Sequence, residues 1–166
     1  MTTKYIKKIL EAHVYEVAVE TPLDHALNLS KRLNNRVLMK REDLQSVFSF
    51  KCRGAYNRIY QLMKQKKISG VIAASAGNHA QGVALAANRQ GIDATIVMPK
   101  TTPDIKVKAV RAWGGKTVLV GDAYDDAYQH AIKLAEEKNL EFNHPYHHPD
   151  TIAGQGTKAK EKLQHH

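Results

Sequence analysis

The chain has 166 residues, of which 43% are hydrophobic and 25% charged, and its formal net charge is +9. This composition is typical of a globular protein, and the length is enough for one domain, or for one domain and part of another. No apolar run is long enough to span a bilayer and the N-terminus has no apolar signal core, so we expect no membrane partner. The single cysteine, Cys52, excludes an internal disulfide and fits a reducing cytoplasm.

The excess of positive charge raises nucleic acid as a possible partner. The basic residues are dispersed, however, over residues 7–8, 64–67, 106–108 and 158–162, and no aromatic residues are interleaved with them. We therefore expect no nucleic-acid binding. Attraction for small anions, phosphorylated ones included, is the simpler use of the charge.

The first fifty residues predict an irregular mixture of helix and strand. Thr3 is a candidate cap for a helix over residues 4–13, and Thr21-Pro22 predicts the start of a second helix that closes at Asn34-Asn35. Residues 36–40 then predict a strand, and Arg41-Glu42-Asp43 a charged turn. This segment, residues 1–55, is expected to be the N-terminal part of a second, larger and incomplete domain.

From Gly70 onward short apolar strands alternate with capped helices. The pattern predicts strands over residues 71–74, 94–98, 117–120 and 140–143, and helices over residues 78–89, 103–113 and 122–138. Such alternation predicts an α/β fold, a three-layer αβα unit with a parallel four-stranded sheet, over residues 56–149. Residues 150–166 are expected to return to the larger domain through a helix over residues 158–163 and to be truncated. The terminal His165-His166 are either native or the remnant of a tag.

One stretch, Ser49-Phe50-Lys51-Cys52-Arg53-Gly54-Ala55, places a lysine at the start of a predicted helix over residues 51–66. Ser49 is a plausible N-cap. A cation in the first turn is electrostatically misplaced, because the N-terminal end of a helix carries partial positive charge. The same field and burial together favour the neutral, nucleophilic amine. Lys51 is therefore either a solvated surface lysine or a group that does chemistry or meets an anion.

A second stretch, Ser75-Ala76-Gly77-Asn78-His79-Ala80-Gln81-Gly82, lies where the first strand of the α/β unit leads into a helix. Ligands bind at the carboxyl ends of strands in such sheets, and free N–H groups at a helix N-terminus suit a carboxylate. The stretch is neither a dinucleotide fingerprint nor a phosphate-binding P-loop, because the required glycines or the Lys-Ser/Thr pair are missing. Taken alone, it is equally well an ordinary tight turn.

Together the two stretches resemble the threonine dehydratases, which are fold-type II pyridoxal-phosphate enzymes. Further matches are Lys40-Arg41-Glu42-Asp43, Val97-Met98-Pro99 and residues 152–157, so the resemblance covers almost the whole chain. The Lys-Arg-Glu-Asp segment is similar to the biosynthetic branch that leads to isoleucine. The family resemblance implies deamination of L-threonine to 2-oxobutanoate and ammonia with pyridoxal 5'-phosphate, with L-serine as a secondary substrate. It also implies that the parent protein is a cytoplasmic homo-oligomer.

The resemblance also assigns roles to residues. Lys51 corresponds to the lysine that forms the Schiff base, with Phe50 against the cofactor. Asn78 corresponds to the residue that hydrogen-bonds the cofactor's ring hydroxyl oxygen. The loop expected to hold the substrate carboxylate consists of Ser75, Ala76, Gly77, Asn78 and His79. Cys52 is expected to be a packed side chain and His79 to shape the loop, whereas His144, His147 and His148 lack metal-ligand spacing and are expected to be loop residues.

Three functions remain open alongside the dehydratase. The family's phosphate loop, the residue facing its pyridine nitrogen and its regulatory domain lie beyond residue 166, so a non-catalytic, anion-binding α/β piece is one alternative, and we expect the fragment itself to be inactive. A β-replacing synthase would carry a Thr-Ser-Gly-Asn-Thr loop, which is missing. A racemase needs a second proton donor, and in related serine racemases a serine stands where this chain has Ala76, whose methyl group cannot donate.

Overall fold

The computed structural model describes residues 2–164, with side chains from Lys4 onward. Seven helices and six strands occur in this range, together with one 3-10 turn over Glu42–Leu44. The helices are α1 (Thr2–Leu10), α2 (Leu27–Leu33), α3 (Lys51–Gln65), α4 (Asn78–Arg89), α5 (Asp104–Ala112), α6 (Tyr124–Glu137) and α7 (Pro149–Gln164). The strands are β1 (Leu23–His25), β2 (Leu38–Lys40), β3 (Gly70–Ala74), β4 (Asp93–Met98), β5 (Lys116–Leu119) and β6 (Glu141–Phe142).

The larger sheet has four parallel strands in the order β5-β4-β3-β6. Successive residues of a strand face opposite sides, so Val71 and Ala73 join a core with α4 and α5, while Ile72 and Ala74 join a second core with α6. Helices on both faces explain why β3 is buried along its whole length. The predicted three-layer α/β unit with a parallel four-stranded sheet is therefore confirmed, and each of its predicted strands and helices is found within a few residues of its expected ends.

Helix α3 packs between α4 and α7, and glycines make the close contact possible. A Cβ at Gly154 of α7 would lie 2.5 Å from the Arg53 carbonyl oxygen and 2.8 Å from the Gly54 Cα. Any larger residue at Gly154 would therefore have to separate the two helices. The start of α3 is in this way fixed by backbone contact on the α7 side.

A buried network of charges joins α7 to the N-terminal segment. Arg53 is fully buried and donates hydrogen bonds to both carboxylate oxygens of Glu42 and of Glu161. Lys40 forms a second ion pair with Glu161 at 2.7 Å, and the Tyr15 hydroxyl donates to Glu161 at 3.0 Å. The two buried cations and two buried carboxylates balance, which is the condition under which charges are tolerated in a protein interior.

The start predicted for the helix after Thr21-Pro22 is wrong. Residues Leu23–His25 form strand β1, which pairs antiparallel with β2, and the helix begins only at Leu27. Thr21 does not cap a helix, because its hydroxyl donates to the buried Glu42 carboxylate at 2.7 Å. Two tertiary interactions override the local capping pattern: the pairing of β1 with β2, and the hydrogen bond that the buried Glu42 carboxylate requires.

The charged turn expected at residues 41–43 is found as a 3-10 turn over Glu42–Leu44, and its Glu42 is buried. Two smaller expectations are corrected. The final helix begins at Pro149, not at residue 158, because Gly154 is needed for packing and lies inside the helix. The N-cap of α3 is Phe50, although the Ser49 hydroxyl does accept from the Lys51 N–H at 3.3 Å.

Two expectations fall outside the described parts: the capping side chain of Thr3 and the origin of His165-His166. Helix α1 spans Thr2–Leu10 and packs on α7, and Val14, Val17 and Ala18 enter the same core as α3. Among the described helices, none combines the length and the apolar character that crossing a membrane requires.

Candidate active site

The two sequence motifs meet in one open cleft of ≈ 470 Å³ at the carboxyl end of β3. The start of α3 contributes Lys51 to the cleft, and the loop between β3 and α4 contributes Ser75 and Gly77. The lining residues are Lys51, Ala74, Ser75, Gly77, Asn78, His79, Tyr124, Pro145 and Tyr146. This volume lies within the range of pockets that take small ligands and cofactors.

The Lys51 amine is partly shielded from water and meets no carboxylate among the described residues. Its Nζ donates to the Pro145 carbonyl oxygen at 3.4 Å and lies 4.3 Å from the centroid of the Tyr146 ring. Burial lowers the pKa of the Lys51 ammonium. A neutral amine is the nucleophilic and basic form, so the surroundings of Lys51 favour the reactivity that the sequence predicts.

The loop over residues 75–79 presents the N-terminus of α4 to the cleft. The Ser75 hydroxyl accepts from the Gly77 N–H at 3.2 Å, and no side chain caps the helix at Gly77. The first N–H groups of α4 have no partner within the helix and carry partial positive charge. This end of the cleft therefore suits an anion of carboxylate size.

His79 is buried beneath the loop. Its Nε2 lies 2.9 Å from the Asn143 carbonyl oxygen, to which it donates, so the neutral ring has its lone pair on Nδ1. Burial lowers the pKa of His79 to about 4, despite the hydrogen bond to Asn143, so the ring is neutral near pH 7. Nδ1 is buried and finds no hydrogen-bond partner in the described part of the chain. The position agrees with a role in shaping the loop.

Segment 144–147 contributes Pro145 and Tyr146 to the wall of the cleft. The His144 Nδ1 accepts backbone N–H groups from Tyr146 at 3.2 Å and from His147 at 3.3 Å. These bonds fold the segment into a tight turn that places the Tyr146 ring against Lys51. Burial, with a smaller contribution from His147, lowers the pKa of His144, which keeps Nδ1 free to accept. Over residues 2–164 no group of three or more His, Cys, Asp or Glu side chains is arranged to hold a metal ion.

Two of the predicted site residues do not line the cleft. The Phe50 ring centroid lies 5.6 Å from the Lys51 Nζ but 3.3 Å from the Lys158 Nζ, so the ring lies between α3 and α7. Ala76 is half-buried and packs against the apolar core. Cys52 is fully buried, and burial raises its pKa to about 11, as expected of a packed and unreactive thiol.

Sequence reasoning missed four residues of this region. Tyr124, Pro145 and Tyr146 line the cleft, and Lys158 contacts Phe50. The three cleft residues, Tyr124, Pro145 and Tyr146, come from segments whose path is known only once the chain has folded. The signal that could have found them is topological, because the starts of helices that follow neighbouring parallel strands meet at one edge of the sheet.

Comparison with known proteins places this geometry in a family. The family described as "Pyridoxal-phosphate dependent enzyme" matches residues 14–166. The L-threonine dehydratase biosynthetic IlvA of Burkholderia multivorans is 58% identical over 165 residues, which are 98% of this chain and 32% of that protein. The threonine dehydratase of Nicotiana attenuata is 56% identical over 158 residues, which are 95% of this chain and 26% of that protein. The chain thus spans about a third or less of these relatives.

Solved structures give the same result. The processed form of threonine deaminase isoform 2 from Solanum lycopersicum has a TM-score of 0.93 at 50% identity, over 99% of this chain and 48% of that one. Maize serine racemase has a TM-score of 0.91 at 33% identity, over 96% of this chain and 49% of that one. The resemblance to threonine dehydratases seen in the two motifs is confirmed by these matches. The chain belongs to the pyridoxal-phosphate dependent enzymes.

Proposed function

We propose that this chain forms part of a threonine dehydratase, a pyridoxal-phosphate dependent lyase that converts L-threonine, and L-serine more slowly, to a 2-oxoacid and ammonia. One observation supports this most strongly: the Lys51 amine and the uncapped N-terminus of α4 line a single cleft. An α-amino acid presents an amine and a carboxylate close together. The α4 N-terminus would bind the carboxylate, and a cofactor attached through Lys51 would receive the amine. The sequence matches described above include threonine dehydratases, whose name denotes the same reaction.

The residues present fit pyridoxal 5'-phosphate. The cleft is of cofactor size, holds a lysine whose pKa burial lowers, and is walled by the Tyr146 ring. Lys51 would supply the amine that attaches the cofactor, and Asn78, the first residue of α4, would hydrogen-bond the ring hydroxyl oxygen. Phe50 would pack beside the attachment point. When bound, the cofactor supplies an aldehyde for the substrate amine and a ring that spreads negative charge from Cα.

The protein's own part in the reaction is to bind, orient and move a proton. Ser75, Gly77 and the first N–H groups of α4 would hold the substrate carboxylate, with Ala76 and His79 shaping the loop around it. The Lys51 amine, once released from the cofactor, would take the Cα proton, which its shielded position favours. Loss of the β-hydroxyl then completes elimination.

Racemisation is the second candidate, since maize serine racemase shares the fold. One lysine serves one face of Cα, so racemisation requires another proton donor on the opposite face. Ala76 cannot donate and packs into the apolar core. The loop therefore favours elimination, and incubation of the enzyme with L-serine in deuterated water should give pyruvate without appreciable D-serine.

The remaining proposals concern the protein as a whole. We propose that residues 1–55 and 150–166 belong to a larger cofactor-binding domain and that residues 56–149 form a small domain. The working enzyme would be a cytoplasmic homo-oligomer that takes small amino acids and neither nucleic acid nor membrane. The phosphate loop implied by the family resemblance is not among these residues, so the 166-residue chain alone should bind the cofactor weakly and turn over no threonine.

Borohydride trapping tests the central assignment even where binding is weak. The chain is mixed with an excess of pyridoxal phosphate, reduced and digested, and the pyridoxyl group is located by mass spectrometry. We expect Lys51 to be labelled well above every other lysine. Lys51→Met serves as the control and should show no preferred site. Equal labelling of all lysines, or preference for another one, would refute the assignment.

A further inference from the structure

The chain enters segment 144–147 from a fixed point of the sheet. The Asn143 N–H donates to a carbonyl oxygen of β3 at 2.8 Å. Beyond it the pattern changes, because the N–H groups of Tyr146 and His147 donate to the Nδ1 of the His144 ring, at 3.2 Å and 3.3 Å. One side-chain nitrogen therefore takes the place of the backbone oxygen that usually closes a turn.

Tyr146 depends on this turn for its position. The residue is 62% exposed, and its ring belongs to neither apolar core of the described residues. The ring centroid nevertheless lies 4.3 Å from the Lys51 Nζ, and the Pro145 carbonyl oxygen accepts from the same amine at 3.4 Å. The wall of the cleft beside Lys51 is therefore held by the turn that His144 closes.

The turn requires a neutral His144 ring. Nδ1 has a single lone pair, which the two backbone N–H groups share when the ring proton is on Nε2. A proton on Nδ1 occupies this lone pair and changes the acceptor into a donor, so that three N–H groups would point at one another. Both hydrogen bonds of the turn are then lost at the same time.

The groups around His144 do not stabilise a charged ring. Burial lowers the pKa of His144, His147 lowers it further, and among the described residues no carboxylate pairs with this ring. Two lysine or phenol groups lie one residue further away, Lys51 of α3 beyond Tyr146 and Tyr128 of α6 beyond Phe142. The nearest side chains are Phe142 of β6, His79 of α4, and Tyr146 and His147 of the same segment.

We propose that His144 is a positioning residue of the active site: its neutral ring keeps Pro145 and Tyr146 against Lys51, and a proton on Nδ1 releases them. Acid would thus open the wall of the cleft at Lys51 while the two sequence motifs stay in place. The consequence for catalysis rests on the proposed function, in which Lys51 does the chemistry, whereas the movement of the wall does not.

The direction of the pH dependence follows from the linkage between proton binding and the turn. The His144 ring binds a proton more weakly in the closed turn than in an open segment, because the proton costs two hydrogen bonds. The turn is therefore fully stabilised above about pH 6.5, the pKa of a free histidine, and opens as the pH falls through the lower pKa of the folded ring. The pKa of His79 is about 4, so its protonation is a separate, more acidic event.

NMR of the cofactor-free chain measures the contact directly. An aromatic ring 4.3 Å from the Lys51 Nζ shifts the resonances of the neighbouring side-chain protons upfield, and Tyr146→Leu gives their position without the ring. We expect the difference between parent and Tyr146→Leu to be present at about pH 7.5 and mostly lost by about pH 4.5, in step with the titration of the His144 ring protons. Any titration of the Lys51 amine occurs in both proteins and cancels.

Two variants distinguish a hydrogen-bond acceptor from a packed ring. His144→Asn keeps an acceptor at the same number of bonds from Cα, because an Asn side-chain oxygen accepts from the N–H two residues on and does not titrate. It should keep the Lys51 shift at both pH values. His144→Phe keeps a ring beside Phe142 but has no acceptor, so it should lose the shift at both. If His144 were only a packed ring, the two variants would behave in the opposite way.

His147→Asn is the matched control, because His147 lies in the same segment and its ring is not the acceptor of the turn. It should keep the pH step and move it to higher pH, since His147 lowers the pKa of His144. A parent shift that does not follow the His144 titration would overturn the proposal, as would loss of the shift in His144→Asn or its survival in His144→Phe. Failure of borohydride to trap Lys51 would refute the proposed function and leave this measurement intact.

Discussion

Gly82 lies directly against the backbone of Lys51. A Cβ at Gly82 would stand 3.0 Å from the Lys51 carbonyl carbon and 3.1 Å from the Cys52 amide nitrogen. The last glycine of the second motif therefore allows α4 to touch the start of α3, where Lys51 lies. The two motifs that identify the family in the sequence are thus in direct backbone contact in the fold.

Gly82→Ala should destabilise the chain and displace Lys51. Alanine favours a helix over glycine by about 1 kcal/mol, but the added methyl group meets rigid backbone, and overpacking of this kind costs about 1–3 kcal/mol. We expect a net loss of about 1 kcal/mol in the free energy of unfolding, measured with urea. Gly77→Ala is the control, because a Cβ there would meet nothing within 4 Å. Stabilisation by Gly82→Ala would contradict the contact.

The sequence predicts most accurately where periodicity and burial agree. The helix at Lys51 and the strand–helix alternation after Gly70 are found with nearly the expected limits, because their apolar faces are the faces that the sheet buries. The error at Thr21 has a tertiary cause. Thr21-Pro22 has the residue types of a helix start, but the Thr21 hydroxyl donates a hydrogen bond to the buried Glu42 carboxylate instead. The local sequence does not reveal this long-range partner.

The candidate site likewise contains some residues that the sequence predicts and others that it does not. Lys51 and the loop over residues 75–79 are contiguous motifs, and the structure brings both to one cleft. Tyr146 is not recognisable from sequence, because its position depends on a turn that the His144 ring nitrogen holds together. The glycines of α7 would suggest a loop if only the sequence were considered. In the structure Gly154 lies inside the helix, where its lack of a side chain allows α7 to contact α3.

Cys52 should be inert in the folded chain. Its side chain is fully buried and its Sγ lies 3.5 Å from the Ser49 carbonyl oxygen. Burial raises the pKa of the thiol to about 11, so little thiolate exists near pH 8. We expect modification by iodoacetamide only after unfolding, when the thiol should react as a free cysteine does. Rapid modification of the native chain would show that the start of α3 opens readily.

Arg53 should be among the most sensitive positions of the chain. Arg53→Met leaves Glu42 and Glu161 buried without their shared cation, and breaking a buried ion pair from one side costs about 3–5 kcal/mol. Arg41→Met is a matched control, because Arg41 also pairs with two carboxylates, Asp24 and Asp43, but at the surface. That change should cost far less than Arg53→Met, because exposed ion pairs contribute little to stability. Similar losses in both variants, measured by urea unfolding, would contradict the importance of burial.

Glu161 should make the stability of the chain sensitive to acid. Burial alone would raise the pKa of this carboxyl, but hydrogen bonds from Arg53 and Lys40, the charge of Arg53 and the Tyr15 hydroxyl hold the pKa below its usual value. A carboxyl whose pKa is lower in the folded state than in the unfolded chain binds protons more weakly when folded. Its contribution to stability is therefore complete above the unfolded pKa and is lost as the pH falls through the folded pKa.

We therefore expect the free energy of unfolding to decline as the pH is lowered from about 5 toward 3, with Glu161 responsible for part of the slope. Glu161→Gln should flatten that part, whereas Glu137→Gln, at an exposed i,i+4 pair with Lys133, should leave it unchanged. Should Glu161→Gln be too unstable to measure, carboxyl titration of the parent by NMR gives the same information. A Glu161 pKa at or above the value of a free glutamate would refute the prediction, because the buried cations would then not be stabilising its charge.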